Sequence, residues 1–250
     1  MNSRGYYLKN IKRVLNKKYQ QQMFFPGWLG IFVNPYYFAR SGLCDAMTKF
    51  APILSGRLLD VGCGIKPYQA LFAVDAYIGL DIDSKESHQL KIAEYFYDGK
   101  VFPFTDASFD SILCNQVLEH VFNPDEFLGE IFRVLRPGGK LLLTLPFVWD
   151  EHSQPYDYAR YTSFGLRALL EKQGFIIIHH NKIGANASIL FQLANAYLFK
   201  VTQGWPKLLK LLFTASFMAI INLMGLLARR LLPDNPDLFL DHVVLVEKAS

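Results

Sequence analysis

Short apolar runs alternate with stretches of helical spacing through the middle of this 250-residue chain. Residues 57–61 (RLLDV) form one such run, stopped by Gly62, and residues 76–82 (AYIGLDI) form a second. Residues 93–97 give a weaker third. Residues 109–114 (FDSILC) are a fourth, and 140–145 (KLLLTL) a fifth, which opens from the Pro137-Gly138-Gly139 turn. Residues 174–179 (GFIIIH) and 242–247 (HVVLVE) complete seven. Between the fourth and fifth, Asn123-Pro124-Asp125 reads as a helix start. Proline lacks only an N–H that the first turn leaves unbonded, and Asp125 and Glu126 face the positive helix end. Phe127, Leu128, Ile131, Val134 and Leu135 then follow at helical spacing. Buried strands alternating with amphipathic helices predict an α/β fold: a mostly parallel sheet with helices on both faces.

Two segments stand outside that alternation. Residues 1–50 are basic, then aromatic (Phe24, Phe25, Trp28, Phe32, Tyr36, Tyr37, Phe38), and read as an N-terminal helical segment. Residues 185–239 form an apolar helical insertion before the last strand. The core domain is then 51–184 with 240–250. Within the insertion, residues 211–228 are apolar except for Thr214, Ser216, Asn222 and Gly225. Lys207 and Lys210 lie on one side of this run, Arg229 and Arg230 on the other. Its length, roughly 27 Å as a helix, approaches a bilayer's hydrocarbon core. A single crossing, however, would separate residues 242–247 from their own sheet. On a helical projection Lys207, Lys210, Thr214, Asn222, Gly225 and Arg229 fall on one narrow stripe. The expectation is a helix lying in a membrane interface or roofing an apolar pocket, with a homodimer interface or a cap on the core as the alternatives.

Composition changes the picture in one respect. Hydrophobic residues make up 51% of the chain and charged residues 19%, which excludes disorder and coiled-coil rods. The net charge of +4 is unevenly placed: residues 1–40 hold seven Lys or Arg and no acid, so the body of the chain is acidic. That distribution favours attraction of the tail to an anionic membrane surface and gives no reason to expect nucleic-acid binding. Three cysteines (Cys44, Cys63, Cys114) are too few for a disulfide framework or a cysteine-held zinc, and no metal site is expected. The start does not read as a secretory signal, so the expected compartment is cytoplasmic, at the inner face of a membrane.

The chemistry begins at Asp60-Val61-Gly62-Cys63-Gly64, at the end of the first strand. In a doubly wound sheet such a strand-to-helix turn offers backbone N–H groups to a nucleotide-like ligand. A dinucleotide fingerprint needs a further glycine where this chain has Pro67, so no diphosphate cradle is completed. Asp81, ending the second strand, is placed to accept from ribose hydroxyls, and Asp98 follows the third strand where an adenine amino group would lie. Three carboxylates and a glycine turn suit a cationic adenosyl ligand better than a pyrophosphate.

These residues resemble the class I S-adenosylmethionine-dependent methyltransferases, specifically the methyltransferase type 11 group. The resemblance runs through LLDVGCG (58–64), YIGLDI (77–82), YDGKVFPFTDASFDSILCNQVLEHV (97–121) and VLRPGGKLLLTLPF (134–147), and covers about residues 55–184 with the last strand. It implies a Rossmann-like, seven-stranded sheet whose last strand is antiparallel, and S-adenosyl-L-methionine as cofactor. By position it implies that Asp60, Gly62, Cys63 and Gly64 meet the amino-acid end of the cofactor. Asp81 would take the ribose, Ile82 the adenine face, Asp98 and Gly99 the adenine amino group, and Asn115 and Gln116 the methionine part. Ile65-Lys66-Pro67-Tyr68 departs from the family pattern, and makes Lys66 and Tyr68 candidates to hold the carboxylate end.

Methyl transfer needs a positioned nucleophile, and a base only for a hydroxyl or a weakly acidic carbon. Residues 149–162, after the fifth strand, hold His152, Tyr156, Asp157, Tyr158 and Arg160, a polar-aromatic loop that in this fold overhangs the methyl group. His152 is the candidate general base; Tyr156, Tyr158 and Arg160 are candidate substrate contacts. The structural alternative is a lid in which Arg160 pairs with Asp157 and Thr162 or Ser163 caps the next helix. His120 is placed near the pocket, whereas His179, His180 and His242 read as structural. The expected function is methylation of a lipophilic or envelope-related acceptor, such as a lipid, a lipid-linked glycan or a quinone, at the membrane surface. The alternatives are a soluble small-molecule methyltransferase that dimerises through the insertion, and a non-catalytic scaffold.

Overall fold

The computed structural model describes residues 17–249. The basic residues Arg4, Lys9, Lys12 and Arg13 of the expected lipid-attracting tail lie outside that range, while Lys17 and Lys18 sit exposed in helical residues 17–24. The described residues divide into two compact units: 46–183 with 239–249, and 17–45 with 184–238.

The first of these holds the sheet. Strands β1 (Arg57–Val61), β2 (Ala76–Ile82), β3 (Tyr95–Tyr97), β4 (Phe109–Asn115), β5 (Leu135–Pro146), β6 (Phe175–Ile183) and β7 (Asp241–Lys248) lie in the order β3-β2-β1-β4-β5-β7-β6. β1 to β5 pair in parallel and β7 runs antiparallel to both β5 and β6. This is the doubly wound, seven-stranded sheet expected from the pattern. Leu58, Leu59, Val61, Leu80, Ile112, Leu113, Leu141, Leu142 and Leu143 are at most 2% exposed. A parallel sheet covered on both faces buries successive residues, so its strands read as continuous apolar runs.

Two strand expectations are revised. Pro137-Gly138-Gly139 does not precede β5 but lies within it as an irregularity: Phe109 pairs with Leu135, and regular pairing resumes at Ser111 with Lys140. β6 runs on past His179 to Ile183, because a register shift between Ile177 and His179 lets the polar residues His180, Asn181 and Lys182 stay paired with β7.

Helix α1 (Tyr37–Phe50) crosses the boundary between the units in sequence. α2 (Lys85–Leu90) is capped by Ser84, whose Oγ accepts from Ser87 N. α3 (Pro124–Val134) buries Phe127, Leu128, Ile131 and Val134, the stripe expected from spacing. α4 (Ser163–Lys172) starts at Thr162, whose Oγ1 accepts the Gly165 N–H at 3.1 Å.

In the other unit the N-terminal aromatic segment and the insertion, read separately from the sequence, pack on each other. Helix α5 (Ser188–Val201) lies against a long helical segment, residues 207–231. That segment comprises α6 (Lys207–Phe213), a π turn (Thr214–Met218) and α7 (Ala219–Leu231). Thr214 Oγ1 donates back to Lys210 O and Ser216 Oγ to Leu212 O at the π turn, a competition with the helix ladder that loosens its winding. The slower winding brings Thr214, Met218, Asn222 and Gly225 inward, where all are buried. A Cβ on Gly225 would meet the Phe38 ring at 2.7 Å, so only glycine permits this approach. Asn222 is clamped by three bonds: it accepts from Asn195 Nδ2 (2.9 Å) and donates to Ile31 O (2.8 Å) and Asn34 O (3.3 Å).

This segment is inside out. Thr214, Ala219, Asn222 and Gly225 are buried, while Leu208, Leu212, Phe217, Ile220, Leu227 and Leu231 are 50–70% exposed. Residues 207–231 are also, among the described residues, the helical segment long and apolar enough to cross a membrane.

Candidate active site

The strand order reverses between β1 and β4, and their carboxyl ends open into a cleft of about 710 Å³. Open α/β sheets bind ligands at this switch point because the loops after the two strands diverge there. Gly62 supplies the end of β1. Asp81, Ile82 and Asp83 come from the end of β2, Tyr97 to Lys100 from the end of β3, and Gln116 and Val117 from the end of β4.

The glycine turn differs from expectation in a way that matters. β1 does not lead into an α-helix; only the 3₁₀ turn Gln69–Leu71 precedes β2. The turn's amides are also consumed inside the protein. Gly62 N and Cys63 N both donate to Leu80 O (2.8 and 3.2 Å), and Gly64 N donates to Asp81 Oδ2 at 3.2 Å. The expected helix N-terminus for ligand binding is therefore absent, and the turn is a rigid floor. Gly62 has φ +68°, and a Cβ there would be driven into Val117, so this glycine is required by conformation and by contact with the protein.

The cofactor residues expected from the sequence separate into two places. Gly62, Asp81, Ile82, Asp98, Gly99 and Gln116 line the cleft. Asp60, Cys63 and Asn115 instead surround a small cavity of about 10 Å³ beneath the turn, which Gly62 also borders. Gly64 lines neither of these two spaces. Lys66, a candidate for the carboxylate end, is committed elsewhere: its ammonium donates to Glu94 Oε1 at 2.6 Å, and Glu94 also accepts the Gly79 N–H. Tyr68 is buried, at 1% exposure.

Asp98 Oδ1 accepts from Lys100 N (3.0 Å) and Val101 N (3.3 Å), and these bonds hold its carboxyl below the usual range. The following segment is pinned by Glu130, which accepts the Phe102 N–H, and by Arg133, which donates to Phe102 O and Phe104 O. Carboxylates outnumber lysines around the cleft, Asp81, Asp83, Glu86, Asp98 and Glu126 against Lys100. A pyrophosphate would be repelled there and a cation attracted. With Ile82, Tyr97 and Phe122 as apolar walls, the lining and volume fit an adenosyl ligand bearing a sulfonium.

Asp60 is 4% exposed and accepts the Tyr77 hydroxyl at 2.7 Å. Burial pushes its pKa up to about 7, against the opposing pull of Tyr77 and Lys66. A folded-state value above the unfolded one means that the fold favours the protonated acid. That contribution is complete below the unfolded value of 3.8 and is lost as pH rises through about 7. Asp60→Asn, which stays neutral, is expected to gain stability over the native chain between about pH 5 and about pH 8 in urea melts. A difference that does not change with pH would show that Asp60 is not a buried neutral acid.

The loop after β5 is held by Arg160. Its Nη1 and Nη2 donate to Asp157 Oδ1 and Oδ2 (2.6 and 2.7 Å), and further bonds reach Asp150 O and Ala159 O. Arg160 therefore does not line the cleft as a substrate contact; the lid reading describes it. Tyr156 and Tyr158 do line the cleft, as does His120. His152 lies behind His120, with the two rings 4.8 Å apart and near perpendicular. The sequence reading missed the importance of Glu119. Its side chain is wholly buried, and burial pushes its pKa up to about 8. The available signal was an acid within the apolar stretch Val117–Phe122. His180 and His242 pair at 2.8 Å, with His242 also bonded to Tyr161 O, as structural residues.

A family model described as a methyltransferase domain matches residues 59–143. The chain is 31% identical over 161 residues to a probable S-adenosylmethionine-dependent methyltransferase of Mycolicibacterium smegmatis, covering 58% of this chain and 62% of that one. It is 30% identical over 162 residues to the O-methyltransferase rstn1 of Aspergillus nomiae, covering 54% of this chain and 71% of that one. In fold it is similar to the [4+2]-cyclase SpnF, with a TM-score of 0.57 and 19% identity over 83% of this chain and 80% of that chain. Since SpnF is named for a cyclisation, this likeness speaks for the fold alone. Spanning more than two thirds of the Aspergillus relative and carrying an acid-lined adenosyl cleft, the chain belongs to the class I S-adenosylmethionine-dependent methyltransferases.

Proposed function

We propose that this chain transfers a methyl group from S-adenosylmethionine to a lipophilic or envelope-related acceptor at the cytoplasmic face of a membrane. Asp81 and Asp98 would hold the adenosyl part, and Gln116, beyond β4, the methionine part. The bound cofactor would supply an electrophilic methyl on a sulfonium. Tyr156 and Tyr158 would then exclude water and orient the acceptor, with Arg160 fixing the loop that carries them.

The observation that carries the membrane reading is the inside-out segment 207–231. A helix that buries Thr214, Asn222 and Gly225 and exposes leucines has the packing of helices in lipid, where small and polar residues face protein. Its ends are cationic, with Lys207 and Lys210 at one end and Arg229 and Arg230 at the other. Anionic headgroups match both ends, whereas a second copy lying against this face would set like charges together in either direction.

Sedimentation with vesicles tests the reading. The native chain is expected to pellet with phosphatidylglycerol-rich vesicles, less so at high salt. The double substitution Leu212→Asp with Ile220→Asp is expected to reduce binding at least tenfold, since each removes an apolar side chain from lipid and adds a charge. Methyl label should then appear in the organic phase when lipid extract is the acceptor. A native chain that stays in the supernatant with every vesicle, and sediments as a dimer that these substitutions disperse, would replace lipid by a second copy.

A further inference from the structure

We propose that Glu119, His120 and His152 form a site for one divalent transition-metal ion at the edge of the cleft. The argument begins with three acceptors that face one another. Glu119 is 0% exposed, and neither carboxylate oxygen has a hydrogen-bond partner. Its Oε1 lies 3.8 Å from His120 Nε2 and 3.9 Å from His152 Nε2. The three potential ligand atoms all lie within 4.8 Å of one another.

The other ring nitrogens fix what these atoms can do. His120 Nδ1 lies 2.7 Å from Tyr156 O, an acceptor only, so Nδ1 carries the proton and Nε2 presents a lone pair. His152 Nδ1 is 3.3 Å from Asp150 O and 3.4 Å from Asp157 Oδ2, which again places its proton there. Arg160 Nη2 is also 3.4 Å from His152 Nδ1, but its two hydrogens are already directed to Asp157 Oδ2 and Asp150 O. Two imidazole lone pairs and the Glu119 carboxyl group therefore converge, with no donor between them other than the proton a buried acid keeps, which a bound cation displaces. A buried carboxylate without a partner is costly, and a bound cation removes that cost.

The geometry and the surroundings agree. Ligand atoms around a tetrahedral zinc with bonds of about 2.0–2.1 Å stand roughly 3.3 Å apart, so the two Glu119–histidine spacings of 3.8 and 3.9 Å need a closure of about half an ångström. Imidazoles that donate their far N–H to a carbonyl or carboxylate are oriented as metal ligands are. Asp157 and Asp241 add negative potential at Glu119, and Arg160, which opposes them, is bound to Asp157. Two histidines and one carboxylate favour zinc, manganese or iron over magnesium, and leave coordination positions open. His120 lines the cleft beside Tyr156 and Tyr158, so an open position there is accessible to an acceptor oxygen.

Its role rests on the methyl-transfer reading. For a hydroxyl acceptor, coordination would favour loss of the O–H proton to water; the oxygen lone pair then forms the O–C bond as the S–C bond breaks.

The test is titration of Zn²⁺ and of Mn²⁺ into the chelator-stripped full chain, followed by calorimetry and, for Mn²⁺, by electron paramagnetic resonance. One ion per chain is expected. Glu119→Gln and His152→Ala should each weaken binding tenfold or more, with a cooperative melting transition and S-adenosylhomocysteine affinity retained. No binding of either ion up to about millimolar concentration, or equal binding in both variants, would overturn the site. If the native chain binds the ion but not S-adenosylhomocysteine, the methyl-transfer reading fails while the ion site stands.

Discussion

Replacing Asp81 by alanine is expected to weaken S-adenosylhomocysteine binding by roughly 30- to 150-fold, from the loss of about 2–3 kcal/mol of charge-assisted hydrogen bonding. The carboxylate stands at the end of β2 on the cleft wall, where the switch point exposes it to ligand. It also organises the floor, since Oδ2 accepts the Gly64 N–H at 3.2 Å and Oδ1 the Ile82 N–H at 2.8 Å. Alanine therefore removes both an acceptor for ligand and a brace for the turn. Asp81→Asn separates the two parts, because an amide oxygen still accepts but carries no charge. It should fall between the native chain and alanine. Calorimetry measures the affinities, and melting temperature reads out the brace. An alanine variant that binds as tightly as the native chain would place the cofactor away from β2.

Gln192→Leu is expected to lower the melting transition by about 8–16 °C, from a loss of about 4 kcal/mol. Gln192 is 0% exposed, and its Oε1 accepts the Phe38 N–H (2.9 Å) and the Ala39 N–H (3.2 Å), while Nε2 donates to Pro35 O (3.0 Å). Phe38 and Ala39 lie in the first turn of α1, where N–H groups have no partner within the helix. A helix is normally capped by a residue just before it; here the cap comes from more than 150 positions away. Leucine matches the volume but leaves two donors and one acceptor buried and unbonded. Differential scanning calorimetry checks this result, and a shift below about 3 °C would mean that water has replaced the glutamine.

The cofactor cleft was largely legible because its residues sit at strand ends, and strand ends follow from the apolar runs. Once 57–61 and 76–82 are strands of a parallel sheet, Gly62 and Asp81 must lie on the same edge. The ligand-facing roles of Asp60 and Lys66 were not legible in this way. Whether Asp60 faces the cleft or the space beneath the turn depends on Tyr77, and Lys66 is claimed by Glu94, which is distant in sequence. Arg160 shows the opposite case: its pairing with Asp157 is local, three residues apart, and was anticipated as the lid alternative.

Glu119 and His152 show what spacing alone cannot supply. They lie more than thirty positions apart, and nothing in their separation says that a buried carboxylate meets two lone pairs. The segment 207–231 makes the same point for surfaces. Its stripe of Lys207, Lys210, Thr214, Asn222, Gly225 and Arg229 was visible, but a stripe does not state which side faces protein. For a water-soluble helix the apolar side goes inward; here Asn195 and Ile31 draw Asn222 inward instead.

The sequence by itself determined the sheet, its glycine turn and the acidic character of the cleft, because periodicity and strand-end position are local properties of the chain. Only the tertiary structure decided which carboxylates face the ligand and where α1 finds its cap. It alone also decided which side of the apolar insertion remains exposed. Those outcomes depend on partners brought together by folding, and buried polar groups settle where such partners satisfy them.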